Sequence, residues 1–263
     1  MTLDVDSLNV DAYLDRIGVR AAPSIDAAGL AVLQLAHLRT VPFENIDVYD
    51  GIEVRTDLAW SIDKVIHRRR GGWCFEVNGA FAALLQALGF EVTMLGAAVL
   101  LGGPNAIVDH LTLEVTLDRA YLVDVGFGNS FITPLDLNRA GPQDGGSGTF
   151  ELIDSPQGQT LTRHDEAGVP VPQYRYKRNV RVLTDFDESS ARLQSDRSLQ
   201  WSQKPFATRL LDDGADRITL LRDRLTIVRD GVSSETPVTF DEWDSTLAEH
   251  FSMHRSDTRD AGT

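Results

Sequence analysis

Arg69-Arg70-Gly71-Gly72-Trp73-Cys74-Phe75-Glu76-Val77-Asn78-Gly79 is the stretch from which the rest of the chain is read. Two glycines loosen the backbone just ahead of a helix in which Phe75, Phe81, Leu84, Leu85 and Leu88 recur at helical spacing, and Gly89 supplies a stop. Cys74, the chain's one cysteine, therefore stands at a helix N-terminus. There the macrodipole and unpaired N–H groups favour thiolate over thiol, the placement a nucleophilic cysteine needs. A plainer reading makes the glycines an entry turn and Arg68 to Arg70 a solvated basic patch.

A nucleophilic thiol also needs an imidazole within reach and a third group to orient it. His110 opens an apolar run from Leu111 to Leu117, and Asp124 lies in the next run, between Val123 and Val125. A carboxylate inside an apolar strand costs stability unless paired, so Asp124 calls for a partner. The pleat sets a condition on that pairing. A two-residue turn at Asp118-Arg119 would pair Leu113 with Asp124 and put His110 and Asp124 on opposite faces. A three-residue loop, pairing Glu114 with Asp124, restores one face. A Cys74-His110-Asp124 triad thus predicts an odd loop, or a bulge near Gly126.

Working outward, the first ninety residues read as helical. Asp11 to Ile17, Asp26 to Leu38 with Ile25, Leu30, Leu33, Leu35 and Leu38 along a stripe, and Leu58 to Arg69 precede the Cys74 helix. After Gly89 come short apolar runs broken by turns, Glu91 to Leu101, Leu111 to Leu117, Tyr121 to Val125, Phe150 to Ile153 and Tyr174 to Leu183, an antiparallel β region. The 141–148 loop, GPQDGGSG, reads as a flexible excursion. From about Ala191 a third region offers strands at Arg217 to Leu221 and Leu225 to Arg229, then a helix with Phe240, Trp243, Leu247 and Phe251 on one face. The polar end, 254–263, should fray. The expected division is 1–89, 90–190 and 191–263.

The net charge of −14 across 263 residues repels polyanions and argues against a nucleic-acid partner. The start, MTLDVDSLNVDAYLDRIG, lacks a signal peptide's basic segment and apolar run, and no stretch reaches a membrane span's length, so a cytosolic protein with no membrane partner is expected. No metal-ligand spacing is present, so no metal is expected.

At these residues the sequence resembles the arylamine N-acetyltransferase family. Arg70 to Gly79 looks like its nucleophile motif, Pro42-Phe43-Glu44-Asn45-Ile46 its N-terminal signature, and Val123 to Asn129 its aspartate motif. The resemblance is strong from Tyr13 to Pro134 and weaker downstream, where Thr208 to Gly214 and a terminal helix ending Glu249-His250-Phe251 fit the family's plan. It implies an α+β fold: an N-terminal helical bundle, an antiparallel β-barrel-like domain and a C-terminal α/β lid, around a papain-like Cys-His-Asp core. It implies Cys74 as nucleophile, His110 as base and Asp124 as orienter. Acetyl-CoA is implied as co-substrate rather than a bound cofactor, and an aromatic amine, hydrazine or N-hydroxyarylamine as acceptor, with a role in xenobiotic metabolism.

Phe43 and Phe127 match positions near the family's acceptor pocket, and Gly126-Phe127-Gly128 the segment approaching the donor and acyl group. Glu44 and Arg69 match a structural ion pair beneath the active site. The family's Pro-x-Ser-x-Phe stretch is replaced here by Arg197-Ser198-Leu199-Gln200-Trp201, with Trp201 standing for the aromatic. That departure leaves open a macrolactam-closing amide synthase of the same family, and a thiol hydrolase is a further alternative. A monomer or homodimer is expected.

Overall fold

Side-chain caps start the first helices. Asn9 accepts from Ala12 N at the head of α1 (Val10–Arg16), and Asp26 accepts from Gly29 N at the head of α2 (Ala27–Thr40). A computed structural model describes residues 8–212 and 214–255, apart from the side chains of Gln200 and Trp201. The buried face of α2 is Leu30, Leu33, Gln34, His37 and Leu38; Ile25, expected on that stripe, precedes the cap and is exposed. Polar residues at two core positions explain why an apolar stripe alone misplaced the face. His37 Nε2 lies 3.0 Å from Tyr13 Oη, and its ring packs on Phe81.

A short strand β1 (Phe43–Glu44) and α3 (Ile46–Asp50) follow. The helix expected over Leu58 to Arg69 is instead α4 (Leu58–Ile62) running into a π-helical turn over Asp63–His67, and it ends before Arg69, whose φ is 50°. The next helix, α5 (Cys74–Ala87), is buried from Cys74 through Leu85 and forms the centre of the main core.

The strands β2 (Glu91–Val99), β3 (His110–Thr116), β4 (Ala120–Val123), β5 (Leu135–Asp136), β6 (Gln143–Asp144), β7 (Thr149–Ser155), β8 (Gly158–His164) and β9 (Pro170–Arg181) form one antiparallel sheet, ordered β5-β4-β3-β2-β9-β8-β7-β6. Its two ends approach each other, making it barrel-like. The Gln143 side chain bridges them by accepting from Asp136 N and donating to Asp136 O, both at 2.9 Å. The expected flexible excursion at 141–148 is therefore a structural part of the closure. A Cβ on Gly145 would lie 2.4 Å from the Phe150 ring, so the segment packs too closely for a larger residue.

The β3–β4 hairpin pairs Thr116 with Ala120 and Leu113 with Val123 across the three-residue loop Leu117-Asp118-Arg119. The loop is odd, as the pleat argument requires, but the register differs by two residues from the expected Glu114–Asp124 pairing: Glu114 faces Leu122. Turning one residue earlier costs nothing in facing, so His110 and Asp124 keep a common face.

Beyond a 3₁₀ turn (Leu183–Phe186) come α6 (Asp187–Ser195), α7 (Gln200–Gln203), β10 (Ala207–Leu210), β11 (Arg217–Leu220), β12 (Arg224–Arg229), β13 (Val232–Pro237) and α8 (Trp243–Phe251). The second sheet is ordered β1-β10-β11-β12-β13, so its first strand comes from the helical region. Trp243, Leu247 and Phe251 pack beneath it against Ile218 and Leu220. Phe240, expected on the same helical face, precedes α8 and is 80% exposed. Of the tail expected to fray, Arg255 is held by Asp50 and Asp244, each at 2.7 Å, and lies over the Trp243 ring; residues 256–263 lie outside the described residues. No helix among the described residues is long and apolar enough to cross a membrane.

Candidate active site

At the head of α5 the chain has to pass very close to β1. Gly72 N donates to Pro42 O and Glu44 N to Gly72 O, a parallel bridge between Phe43 and Gly72. A Cβ on Gly71 would sit 1.9 Å from Pro42 O, which is why the turn before the helix is glycine. Arg16 gathers the surrounding carbonyls, donating to Val65 O and Thr40 O at 2.9 and 2.7 Å and more loosely to Arg69 O and Arg70 O.

Cys74, 7% exposed, is thereby fixed at the first helical position facing β3 and the segment after β4. His110 Nε2 donates to Asp124 Oδ2 at 2.7 Å, both residues being buried. The other ring nitrogen remains for Cys74, with whose side chain His110 also hydrogen-bonds. Burial alone would push the imidazole's pKa down. The charge and hydrogen bond of Asp124, with a contribution from Cys74, outweigh it and hold His110 at about 10. Burial likewise acts to raise Asp124, but His110, Asn78 and Gly126 N keep its carboxyl below the ordinary 3.8.

Asn78 lies one turn along α5 from Cys74 and was given no role in the sequence reading. Its Nδ2 donates to Asp124 Oδ1 at 2.9 Å and to Leu111 O at 2.7 Å, while its Oδ1 accepts from Val125 N at 2.9 Å. One side chain thus ties the Cys74 helix to both strands of the hairpin. The available signal was an amide at i+4 from the cysteine in an otherwise apolar helix face. Tyr174 on β9 was also missed. Its ring lies 5.0 Å from those of His110 and Phe127, and its Oη lies 3.2 Å from Thr112 Oγ1, walling the imidazole with aromatic surface.

Beneath the helix start lies a buried charge cluster. Arg70, not Arg69, meets Glu44 at 2.9 Å and Asp47 at 3.0 Å. The expected Glu44–Arg69 pair is corrected by the turn: left-handed backbone at Arg69 sends its side chain to solvent and the next one inward. Lys64, aimed inward by the π-helical turn, meets Asp47 at 2.8 Å and Glu76 at 3.0 Å. Burial raises the Glu76 carboxyl, and the nearby carboxylates add to that. Yet every hydrogen bond it makes, from Trp60 Nε1, Lys64 Nζ and Trp73 N, is one it accepts, a geometry that suits the carboxylate. The bond from Trp73 N caps α5.

A cavity of about 1090 Å³ opens onto Cys74 and His110. Phe43, Gly126 and Phe127 line it with Trp73, the Gly102-Gly103 loop and Phe206, which packs on Phe43 with ring centroids 5.3 Å apart. Gly126 approaches Cys74 so closely that a Cβ there would lie 2.7 Å from Cys74 Cα. Gly128, at the end of the Gly126-Phe127-Gly128 segment, packs against Phe43, where its φ of 88° and a 3.3 Å Cβ-to-ring distance explain the glycine. Trp201 falls in α7, and its side chain lies outside the described residues. Among the described residues no group of three His, Cys, Asp or Glu side chains is arranged to hold a metal.

A family model described as N-acetyltransferase matches residues 26–258. Human arylamine N-acetyltransferase 1 is 30% identical over 230 residues, 79% of this chain and 79% of that protein. The Gallus gallus arylamine N-acetyltransferase, pineal gland isozyme NAT-3, is 38% identical over 124 residues; the match spans 45% of this chain and less than half, 43%, of that relative. Among solved structures, the arylamine-N-acetyltransferase from M. tuberculosis superposes with a TM-score of 0.86 at 29% identity, covering 97% of this chain and 96% of that one. The Mycobacterium marinum arylamine N-acetyltransferase in complex with CoA gives 0.85 at 27% identity, over 97% and 95%. The mixed helical and barrel-like architecture is the fold of those proteins.

Proposed function

We infer, since this chain belongs to the arylamine N-acetyltransferase family and is an acyltransferase enzyme, that it moves an acetyl group from acetyl-CoA to an arylamine, arylhydrazine or N-hydroxyarylamine through a thioester on Cys74. The observation that carries this reading is the unbroken relay Cys74–His110–Asp124 on the wall of the cavity.

With His110 held at about 10, the nitrogen facing Cys74 already carries the proton at neutral pH, and the sulfur adds to the donor's thioester carbonyl. Asp124 holds the opposite ring N–H and balances the imidazolium charge. The N–H groups of Cys74 and Phe75 are among those that a helix start leaves without an intrahelical partner, and they are the assigned oxyanion donors. CoA leaves as its thiol with the proton from His110. The amine nitrogen then attacks the acyl-enzyme and gives its proton to His110, and collapse of the adduct releases the amide and restores the sulfur. Thioester exchange is nearly balanced in energy, whereas amide formation runs downhill and gives direction.

Phe43, Phe127 and Trp201, two residues beyond the cavity-lining Leu199, are assigned to the acceptor side, and Gly126 to the acyl group. Gly128 supports Phe43. The apolar lining keeps water from competing with the amine. A cavity of this size fits a donor's arm together with a small aromatic amine, which favours that acceptor over a macrolactam precursor. The division 1–89, 90–190 and 191–263, a cytosolic site of action in xenobiotic metabolism and a monomeric or dimeric state complete the reading.

Mass spectrometry of intact protein mixed with acetyl-CoA tests it. Wild type should gain one acetyl group and lose it on adding an arylamine, and Cys74→Ser should gain none. Absence of any gain in wild type, or loss of the group to water at the same rate with and without amine, would overturn the assignment, the second outcome in favour of a hydrolase.

A further inference from the structure

The loop joining β2 to β3 forms part of the cavity wall and ends one residue ahead of His110. Its residues 101–104 are exposed and make the barrel side of the cavity's mouth, while the exposed Lys204 and Arg222 belong to the lid side. Leu101 and Ile107 are 61% and 46% exposed, so apolar packing does little to fix the loop. A Cβ on Gly102 or Gly103 would meet nothing within 4 Å, so close packing does not fix it either.

The loop's shape rests on a polar clasp. Asp109 Oδ1 accepts from Val99 N at 2.9 Å across the base of the loop, and its Oδ2 accepts from Asn105 Nδ2 at 2.7 Å. Asn105 Oδ1 in turn accepts from Ile107 N at 2.9 Å, and Arg175 on β9 donates to Asn105 O at 3.1 Å. Three N–H donors thus meet three oxygens because a carboxylate stands at 109 and a carboxamide at 105.

A donor whose thioester reaches Cys74 keeps its phosphates at the open side, since they are costly to bury unpaired. Its arm therefore crosses the mouth, whereas a small amine lies wholly inside. Gly102 stands on that rim with φ outside the left-handed region. Neither its backbone nor a neighbouring atom requires glycine, and a side chain there would stand in the mouth. We propose that Asp109 and Asn105 are positioning residues for the donor: their clasp holds the 101–104 rim as the bed of the arm and sets the affinity for a long acyl-CoA thioester without touching the reacting atoms. This assignment rests on the acetyl-CoA reading given above.

The test compares acetyl-CoA with S-acetyl-N-acetylcysteamine, a thioester that lacks the rest of the arm and the nucleotide. The half-saturating concentration and maximal first-turnover rate of Cys74 acylation are read by quenching and intact-protein mass spectrometry. Asp109→Asn sets two amide groups donor to donor, and Asn105→Asp sets two carboxylate oxygens against each other. The double exchange, Asn105→Asp with Asp109→Asn, restores every pairing. The carboxylate at 105 accepts from Ile107 N and from the carboxamide at 109, whose oxygen still accepts from Val99 N.

Each single exchange should weaken half-saturation by acetyl-CoA about tenfold and change that by the short thioester less than about threefold; the double exchange should return to within about threefold of wild type. The two singles alter the charge beside His110 in opposite directions, so an effect of charge alone would move them apart and not together. Gly102→Phe should show the same loss confined to acetyl-CoA, and it carries the comparison if a single exchange does not fold. Singles that match wild type, equal losses with both thioesters, or a double exchange as poor as the singles overturn the clasp while leaving the donor reading intact. Wild type that is acylated by the short thioester but not by acetyl-CoA overturns the donor reading and the clasp's role with it.

Discussion

Gly126→Ala isolates how tightly Cys74 and the Asp124 segment are fitted together. The backbone of Gly126 lies outside the left-handed region, so alanine meets no conformational penalty there and only the added methyl acts. That methyl would lie 2.7 Å from Cys74 Cα, 2.8 Å from Asn78 Nδ2 and 2.9 Å from Val77 Cγ2. Carbon atoms pack comfortably at about 3.5–4.0 Å, so the segment has to retreat by about 1 Å. All three obstacles belong to α5, whose buried face cannot give way. The retreat falls on Gly126 N, which donates to Asp124 Oδ1, and on Val125 N, which donates to Asn78 Oδ1, both at 2.9 Å. Asp124 and the imidazole it orients then drift from Cys74. A misplacement of about 1 Å costs about 100-fold in rate, while overpacking costs about 1–3 kcal/mol of stability. Rapid-quench measurement of CoA released in the first turnover reads the rate, and a urea melt reads the stability. A folded variant that acylates within about threefold of wild type, a barrier change of less than about 1 kcal/mol, would refute the fitted-segment argument.

Three further outcomes are expected. Arg70→Met should lose about 3–5 kcal/mol in urea melts by leaving the buried Glu44 and Asp47 to share Lys64 with Glu76, whereas Arg69→Ala should stay within about 0.5 kcal/mol; the reverse order would make Arg69 the buried partner after all. Asn78→Ala should lower first-turnover CoA release together with stability, since it leaves Leu111 O and Val125 N without their partner, at about 1–3 kcal/mol for each buried group; an unchanged acylation rate in the folded variant counts against its positioning role. The stability advantage of wild type over Asp124→Asn should depend on pH with a definite sign. His110 is raised from 6.5 to about 10 and Asp124 is lowered from 3.8, so the advantage is fully present between pH 3.8 and 6.5 and declines as pH rises from 6.5 through about 10. A difference that is flat across that alkaline window contradicts the assignment of charge to the pair.

The Cys74 helix was legible because its determinants are local: two glycines that must approach a neighbouring strand, then an apolar repeat. The common face of His110 and Asp124 was also legible, since parity follows from the alternation of a strand. Register was not. Whether the turn begins at Leu117 or Asp118 depends on the whole sheet, and either choice keeps the required face. β8 escaped notice because Gly158–His164 alternates polar residues with few apolar ones, and its place is decided by the strands on either side. The Arg70 assignment needed the left-handed turn at Arg69, which no side-chain preference announces. Gln34 and His37 broke the apolar stripe of α2 while occupying its buried face, His37 being met by Tyr13, whose position in another helix the periodicity of α2 does not reveal.

Asn45, just past β1, donates through Nδ2 to Lys204 O, 159 residues along the chain, and its Oδ1 accepts from Phe206 N. At a synthesis rate of about 5–20 residues per second, β1 emerges roughly 8 to 30 seconds before the strand it pairs with. During that interval the Phe43 wall of the cavity has no Phe206 to lean on, and the head of the Cys74 helix is covered from one side only. A nascent or truncated protein that stops before β10 therefore lacks the Phe206 side of the cavity that opens onto Cys74, and the pocket is closed last, by the end of the chain.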